Sequence, residues 1–558
     1  MSAAPDSYWP RGLPRTLRYA QAGLWHNIEV AAARYPDKPA IVFYDRVYSY
    51  SELRRQAEAL AAWLEQRCGV GNGDRVLLYS QNCPQFVIAY YATLRAGAVV
   101  VPVNAMSTER ELRYLVADSG ATVAIAAGEL YATLQPLLAD ASLSAAVVLD
   151  YADALAAETD LPVPDWLRQT APALGAKASS WRAVLAAALQ PVLASSTIAA
   201  DDLVVLPYTS GTTGHPKGCV HTHATLTAAI RGSQLWRGLT SEAVFLAVAP
   251  LFHLLGMQNG MNLPLSVGGT IVMLPRWDRQ AAAQLIARYG VTTWAAPPAM
   301  LVDFFSQPQL ERYDLSSLAL LSGGGAAMPE AVAQMLEQRF NIVYNEAYGL
   351  TETASFMLGN PLARPKKLCL GVATFGVDAR IIDPATLQEL PTGEVGEIIA
   401  SGPQVIGAYW NNPEANRELF IEREGKRFLR TGDLGYVDAE GYFFMRDRLK
   451  RMINASGYKV WPAEVENVLY GHPDVHEACV IATPDGKRGE SVKAVIALKP
   501  ERRGRVEAET LIAWARTQMA AYKVPRVIEF VDALPKSGTG KIMWRQLQEA
   551  EKGSDHGQ

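Results

Sequence analysis

The chain has 558 residues, of which 49% are hydrophobic and 19% charged, so it can bury large cores in roughly two to four domains and is not a disordered chain. Its formal net charge is −4 with no basic block, which argues against nucleic acid as a partner. Five scattered cysteines form no CxxC pair and eight histidines form no HExxH, so neither a disulfide framework nor a structural zinc site is expected, and a reducing cytoplasm fits best.

The N-terminal "MSAAPDSYWPRGLPRTLRY" lacks the apolar core of a signal peptide. No apolar run reaches the ~18 residues that a membrane span needs, although peripheral membrane contact stays open. "SYSELRRQAEALAAWLEQRCGV" begins at a serine cap and carries apolar residues at helical spacing; "GDRVLLYSQN" then reads as a buried strand. "CPQFVIAYYATLRAGAVVVPVN" and, much later, "AAAQLIARYGVTTWAAPPAML" repeat helix then strand. Such alternation implies α/β layers with largely parallel sheets. The Ala-rich stretch from about Ser142 to Asp201 reads as helices, such as "SWRAVLAAALQPVLA", joined by loops, with no chemistry in it. From Gly371 to Ala400 short strands and tight turns suggest a β subdomain, and from Ala463 a helix and two β runs suggest a compact α+β domain closing the chain.

One stretch is unlike the rest. "YTSGTTGHPKG", Tyr208 to Gly218, follows an apolar strand and precedes a helix. Gly211 and Gly214 let backbone N–H groups approach a phosphate, Thr209, Ser210, Thr212 and Thr213 add hydroxyls, and Lys217 adds charge. The spacing fails the Walker A pattern, and composition alone does not separate a phosphate cradle from a flexible Ser/Thr/Gly linker.

This run resembles the phosphate loop of the adenylate-forming superfamily, which comprises acyl-CoA synthetases, peptide adenylation domains and luciferase. "NEAYGLTET", "RTGDLGYVDAEGYFFMRDRLKRMINASGYKVWPAEVE" and "LPKSGTGKIMWRQL" are similar to its later motifs, in the expected order. The resemblance is closest to medium- or long-chain fatty acid–CoA ligases. It implies an α/β fold: a large N-terminal domain of stacked sheets with a small β subdomain (residues 1–449), then a small mobile α+β domain (450–558) hinged at Lys450. It also implies a monomer or homodimer.

The implied reaction joins a carboxylate to the α-phosphate of ATP, releases pyrophosphate, then passes the acyl group to CoA. An anion must meet a polyanion, so cations, a metal and positioned donors are needed. By resemblance, Lys541 bridges carboxylate and α-phosphate, Thr351 donates to that phosphate, and Glu352 binds Mg²⁺. Tyr348 lies against the adenine, with Gly325 alongside; Asp433 takes the ribose hydroxyls, Arg448 reaches the nucleotide, and Lys459 contacts nucleotide or CoA phosphates. Thr209, Ser210, Gly211, Thr212, Thr213, Gly214 and Lys217 hold the outer phosphates.

"VAPLFHLLGMQNG" resembles the border of the acyl pocket, with His253 at its centre. "LLSGGGAAMPE" implies the other wall, where Gly323, Gly324 and Gly325 are bare enough for a tunnel to continue. Leu255, Met257 and Met300 would make the lining apolar, and Trp277 lies where some long-chain enzymes have a gating aromatic. A tunnel gains about 0.8 kcal/mol per buried CH₂, so a medium- or long-chain fatty acid is favoured. An aryl or cinnamate-like acid is the alternative, as are loading of a separate carrier protein and a non-catalytic adenylate-binding role.

Overall fold

The computed structural model describes all residues except 1–8, 210–215, 325–327, 329, 456–457, 486–488, 538–540 and 555–558. Two large sheets organise most of the chain. The seven-stranded sheet runs, in spatial order, His221–Thr222, Leu203–Val205, Val99–Val103, Arg75–Tyr79, Val123–Ala127, Ala145–Leu149 and Ala178–Ser180, parallel except at its first edge. Its central strands are continuous apolar runs because both faces are covered. Val76, Leu78 and Val100 point into one core, while Leu77, Tyr79, Val99 and Val101 point into another, as period-2 alternation requires.

The nine-stranded sheet holds Pro39–Phe43, Thr270–Met273, Val244–Ala247, Thr293–Ala295, Leu320–Gly323 and Tyr344–Tyr348 in parallel, with antiparallel strands at both edges. Helices Trp25–Arg34, Tyr50–Cys68 and Pro84–Arg95 contribute to the core against it. The Ser49 hydroxyl accepts from Glu52 N at the start of Tyr50–Cys68, and Gly69 ends that helix at φ 68°. Both features follow from the sequence: a serine cap lies at one end and a residue free to be left-handed at the other.

The Ala-rich segment departs from its sequence reading. Ala145–Leu149 and Ala178–Ser180 are strands of the parallel sheet, and the helix in "SWRAVLAAALQPVLA" is only Trp181–Ala186. Alanine signals neither period strongly, so a short buried Ala/Val strand is hidden among helix formers.

An antiparallel sheet, Asp378–Ile382, Gly396–Ser401, Phe420–Arg423, Lys426–Val437 and Phe443–Arg448, follows. The last sheet spans Ile453 to Val531, packs helices Pro462–Tyr470 and Ala508–Gln518 and closes over its own core of Ile453, Val465, Val480, Ile496 and Leu511. Residue 450 lies in the 3₁₀ turn Leu449–Arg451 between these two sheets. Across that junction, Ala463 N donates to Asp447 Oδ2 at 2.7 Å and Arg451 pairs with Glu466.

Candidate active site

Parallel α/β sheets bind ligands beyond the carboxyl ends of their strands. Ala247, Ala295, Gly323 and Tyr348 all end strands on that edge of the nine-stranded sheet, and the sequence motifs cluster there.

Thr209 and Lys217 face each other across a two-stranded ladder, so the phosphate loop leaves and returns at one point. Ser210, Gly211, Thr212, Thr213 and Gly214 lie outside the described residues, as does Gly325. Lys217 Nζ stands 5.2 Å from the centre of the Tyr409 ring, a cation–π distance. The Tyr409 hydroxyl in turn donates to Glu352 Oε1 at 2.6 Å. Burial and the Glu352 carboxylate both push the Tyr409 phenol far above its ordinary pKa, so it stays a donor. Tyr409 thus ties the loop lysine to the acidic residue of the Thr351–Thr353 turn.

That turn is braced from behind. His221, fully buried, donates Nε2–H to the Thr351 carbonyl at 2.7 Å, and its Nδ1 lies 3.0 Å from the Thr225 hydroxyl. A carbonyl only accepts, which fixes the proton on Nε2 of a neutral ring. Burial holds the ring neutral by lowering its pKa to about 4.

Tyr348 donates to Asp433 Oδ2 at 2.7 Å, and Asp433 is 1% exposed. Arg448, its register partner on the next strand, places Nε 3.1 Å from Oδ1 as an ion pair without hydrogen-bond alignment. A buried carboxylate oxygen is therefore open to a donor, which suits a pair of sugar hydroxyls.

Lys541 arrives from the far end of the chain, its backbone paired with Ser537. Its side chain is open to water, but the cleft around it is crowded with protein. That enclosure and the Arg448 guanidinium lower its ammonium pKa, while Asp433 and Glu352 work against the shift. His253 feels the same charge: burial first, then Lys541, bring its pKa to about 4. Lys541, Arg448, Asp433, Glu352 and His253 thus share one field, although they span almost 290 residues (541 − 253 = 288).

Gly323 and Gly324 of "LLSGGGAAMPE" have a packing cause. A Cβ on Gly323 would lie 2.1 Å from the Ala296 carbonyl oxygen, and one on Gly324 2.3 Å from that of Ala347. Neighbouring backbone already fills the space the missing side chains leave, so these two glycines answer strand packing. Met257 is fully buried, whereas Leu255 and Met300 are half-buried. Trp277 is pinned: its Nε1 donates to Asp303 at 2.7 Å and its ring stacks on Trp294 at 5.5 Å. Lys459 pairs through its backbone with Asn454, and its side chain lies outside the described residues.

Sequence reasoning missed Tyr409 and His221. Tyr409, in "GAYWNN", carries no signature; His221, three residues past the phosphate loop's last glycine, was a positional signal that could have been used. Among the described residues no three His, Cys, Asp or Glu converge as a metal cage. Mg²⁺ needs only one or two carboxylates when phosphates and water complete its shell, and Glu352 is sufficient on those terms. No helix among the described residues is long and apolar enough to cross a membrane.

Comparison with known proteins agrees with this geometry. The model of the AMP-binding enzyme family matches residues 28–410, and that of the AMP-binding enzyme C-terminal domain matches 464–541. A long-chain-fatty-acid–CoA ligase of Bacillus subtilis is 34% identical over 555 residues, 98% of either chain. A feruloyl-CoA synthase of an Amycolatopsis species is 35% identical over 511 residues, 91% of this chain and 95% of that one. The solved structure of ATP-bound MatB from Rhodopseudomonas palustris superposes with a TM-score of 0.84 at 27% identity, covering 96% of this chain and 99% of that one. With both family models matched in order and relatives aligned nearly end to end, the chain belongs to the AMP-binding enzyme family.

Proposed function

We propose that the protein condenses a carboxylic acid with ATP and hands the acyl group to CoA, as an AMP-forming acid–CoA ligase. In the first step a carboxylate oxygen attacks the α-phosphorus and pyrophosphate leaves. In the second the CoA sulfur attacks the acyl carbon, AMP leaves and the thiol proton passes to solvent. Thr209, Lys217 and the loop between them hold the outer phosphates. Tyr348 borders the adenine, and the open oxygen of Asp433 accepts from the ribose. Thr351 donates to the α-phosphate, while Lys541 draws together two anions that would otherwise repel. Glu352 would hold Mg²⁺, whose charge neutralises the triphosphate. Lys450 is the pivot we assign between a nucleotide-binding part (1–449) and a small part (450–558) carrying Lys541. Five free cysteines, four of them buried, fit the cytoplasm.

The observation that carries this reading is the buried Asp433 carboxylate, held by Tyr348 and Arg448 with one oxygen open, beside the Lys217–Tyr409–Glu352 chain of contacts. Lys541→Ala should abolish acid-dependent ATP–pyrophosphate exchange yet still make thioester from supplied acyl-adenylate. Wild-type exchange in that variant refutes the assignment.

For the acid, the packed glycines and the pinned tryptophan favour a short, aryl or cinnamate-like molecule, in keeping with the feruloyl-CoA synthase relative. The second reading, a medium- or long-chain fatty acid, draws on the 34% identity to the Bacillus ligase. AMP release over graded aliphatic and aryl acids separates the two.

A further inference from the structure

Helix His223–Arg237 ends beside the run that follows His253, and its last residue is a buried arginine. Arg237 is 8% exposed. Its Nη1 donates to Asn259 Oδ1 at 2.7 Å, its guanidinium carbon lies 5.4 Å from the centre of the Phe356 ring, and its Nε has no partner among the described residues. Burial draws its pKa down to about 10, and the ionisable neighbour acting against that shift is the Tyr344 phenol, not a carboxylate. The helix C-terminus compensates part of the charge. A buried cation without a counter-ion is otherwise strongly destabilising.

The unpaired edge has somewhere to point. Arg237, Asn259, Thr293 and Ser322 line a small cavity closed by Leu263 and Ala295. It has room for about one water. Ser233, one turn earlier on the same helix face, also has a buried hydroxyl with no partner among the described residues. The cavity lies along the acyl side of the site: Ser322 precedes Gly323, and Asn259 follows His253 by six residues in one helical run (259 − 253 = 6). His253 caps that run and Asn259 lies in its π-helical part, Gln258–Asn262, more than a turn further along.

We propose that Arg237, held by Asn259, receives an oxygen acceptor at the far end of the acid substrate, a phenolic oxygen or a second carboxylate. The inference rests on the acid–CoA ligase reading and deepens it. An acceptor there replaces a water and supplies the missing partner, whereas a methyl terminus leaves the guanidinium unpaired, so the site selects against plain acids of equal length. Planar guanidinium suits either kind of oxygen.

The test measures kcat/KM by AMP release with CoA for two matched pairs, 4-coumarate against cinnamate and heptanedioate against heptanoate, with dodecanoate and hexadecanoate added. The oxygenated member of one pair should lead by about tenfold or more, and the pair identifies the acceptor. Arg237→Met and Asn259→Leu should each shrink that ratio by about tenfold or more. A ratio unchanged in both variants, or a wild-type preference for the plain member of both pairs, overturns the proposal. If Arg237→Met fails to fold, the wild-type ratios and the charge-conserving Arg237→Lys, which loses the planar fork, still decide it. Turnover of dodecanoate and hexadecanoate alone overturns the inference and leaves the ligase reading standing. Absence of AMP release from every acid overturns both.

Discussion

Mild acid should destabilise this protein at a pH above the ordinary carboxylate range. His221, His223 and His253 each have a pKa lowered from 6.5 to about 4, mainly by burial. A folded imidazole with a depressed pKa refuses a proton that the unfolded chain accepts. Stability is therefore unaffected above the unfolded value of 6.5 and is lost as pH falls from there toward 4. Between about pH 7.5 and about pH 5 the loss is about 2 kcal/mol per histidine, or about 6 kcal/mol for three acting independently. Glu346 opposes it: buried on its strand, with its pKa raised from 4.5 to about 7, it takes up a proton on folding and contributes stability as pH falls through 7. That gain is about 2 kcal/mol over the same window, so the histidines win by about 4 kcal/mol, a large share of a typical 5–15 kcal/mol. His223 is the cleanest probe because its Nδ1 accepts from Leu24 N at 3.0 Å, away from the catalytic groups. An asparagine oxygen can accept the same hydrogen bond. Urea unfolding at the two pH values should show that His223→Asn removes about a third of the histidine-linked loss. A variant with the wild-type pH dependence would refute the claim that this buried ring stays neutral.

Tyr409→Phe keeps the ring beside Lys217 but removes the hydroxyl that orients Glu352; the Mg²⁺ concentration for half-maximal rate should rise about tenfold, and an unchanged Mg²⁺ dependence removes Tyr409 from the site. Gly324→Ala forces a methyl against the Ala347 carbonyl and should cost about 1–3 kcal/mol of stability, read as a lower melting temperature; unchanged melting restores the open-wall account of the glycines.

What the sequence made legible was whatever leaves a period or an ordered set of motifs. The helix Tyr50–Cys68 and the strand Val99–Val103 announced themselves by apolar spacing. Lys217, Glu352, Asp433 and Lys541 stand out because four motifs occur in a fixed order. The strand Ala145–Leu149 was not legible, since alanine marks no period and only its place between two other strands makes it β. Gly323 and Gly324 were visible as glycines, yet their cause was not, because it lies in Ala296 and Ala347 on neighbouring strands. Tyr409 and Arg237 show the same limit from the polar side. Neither stands in a recognisable pattern, and an arginine at the end of an amphipathic helix reads as a solvated charge. Burial changes that reading: the guanidinium of Arg237 loses water, gains one amide oxygen and retains an unpaired N–H. A group left in that state is either a loss of stability or a demand for a ligand. Its position on the lining of a polar cavity, with Asn259 and Ser322, favours the second. The reaction class therefore follows from motifs that a chain carries in order, while the choice of acid depends on contacts between residues that no motif joins.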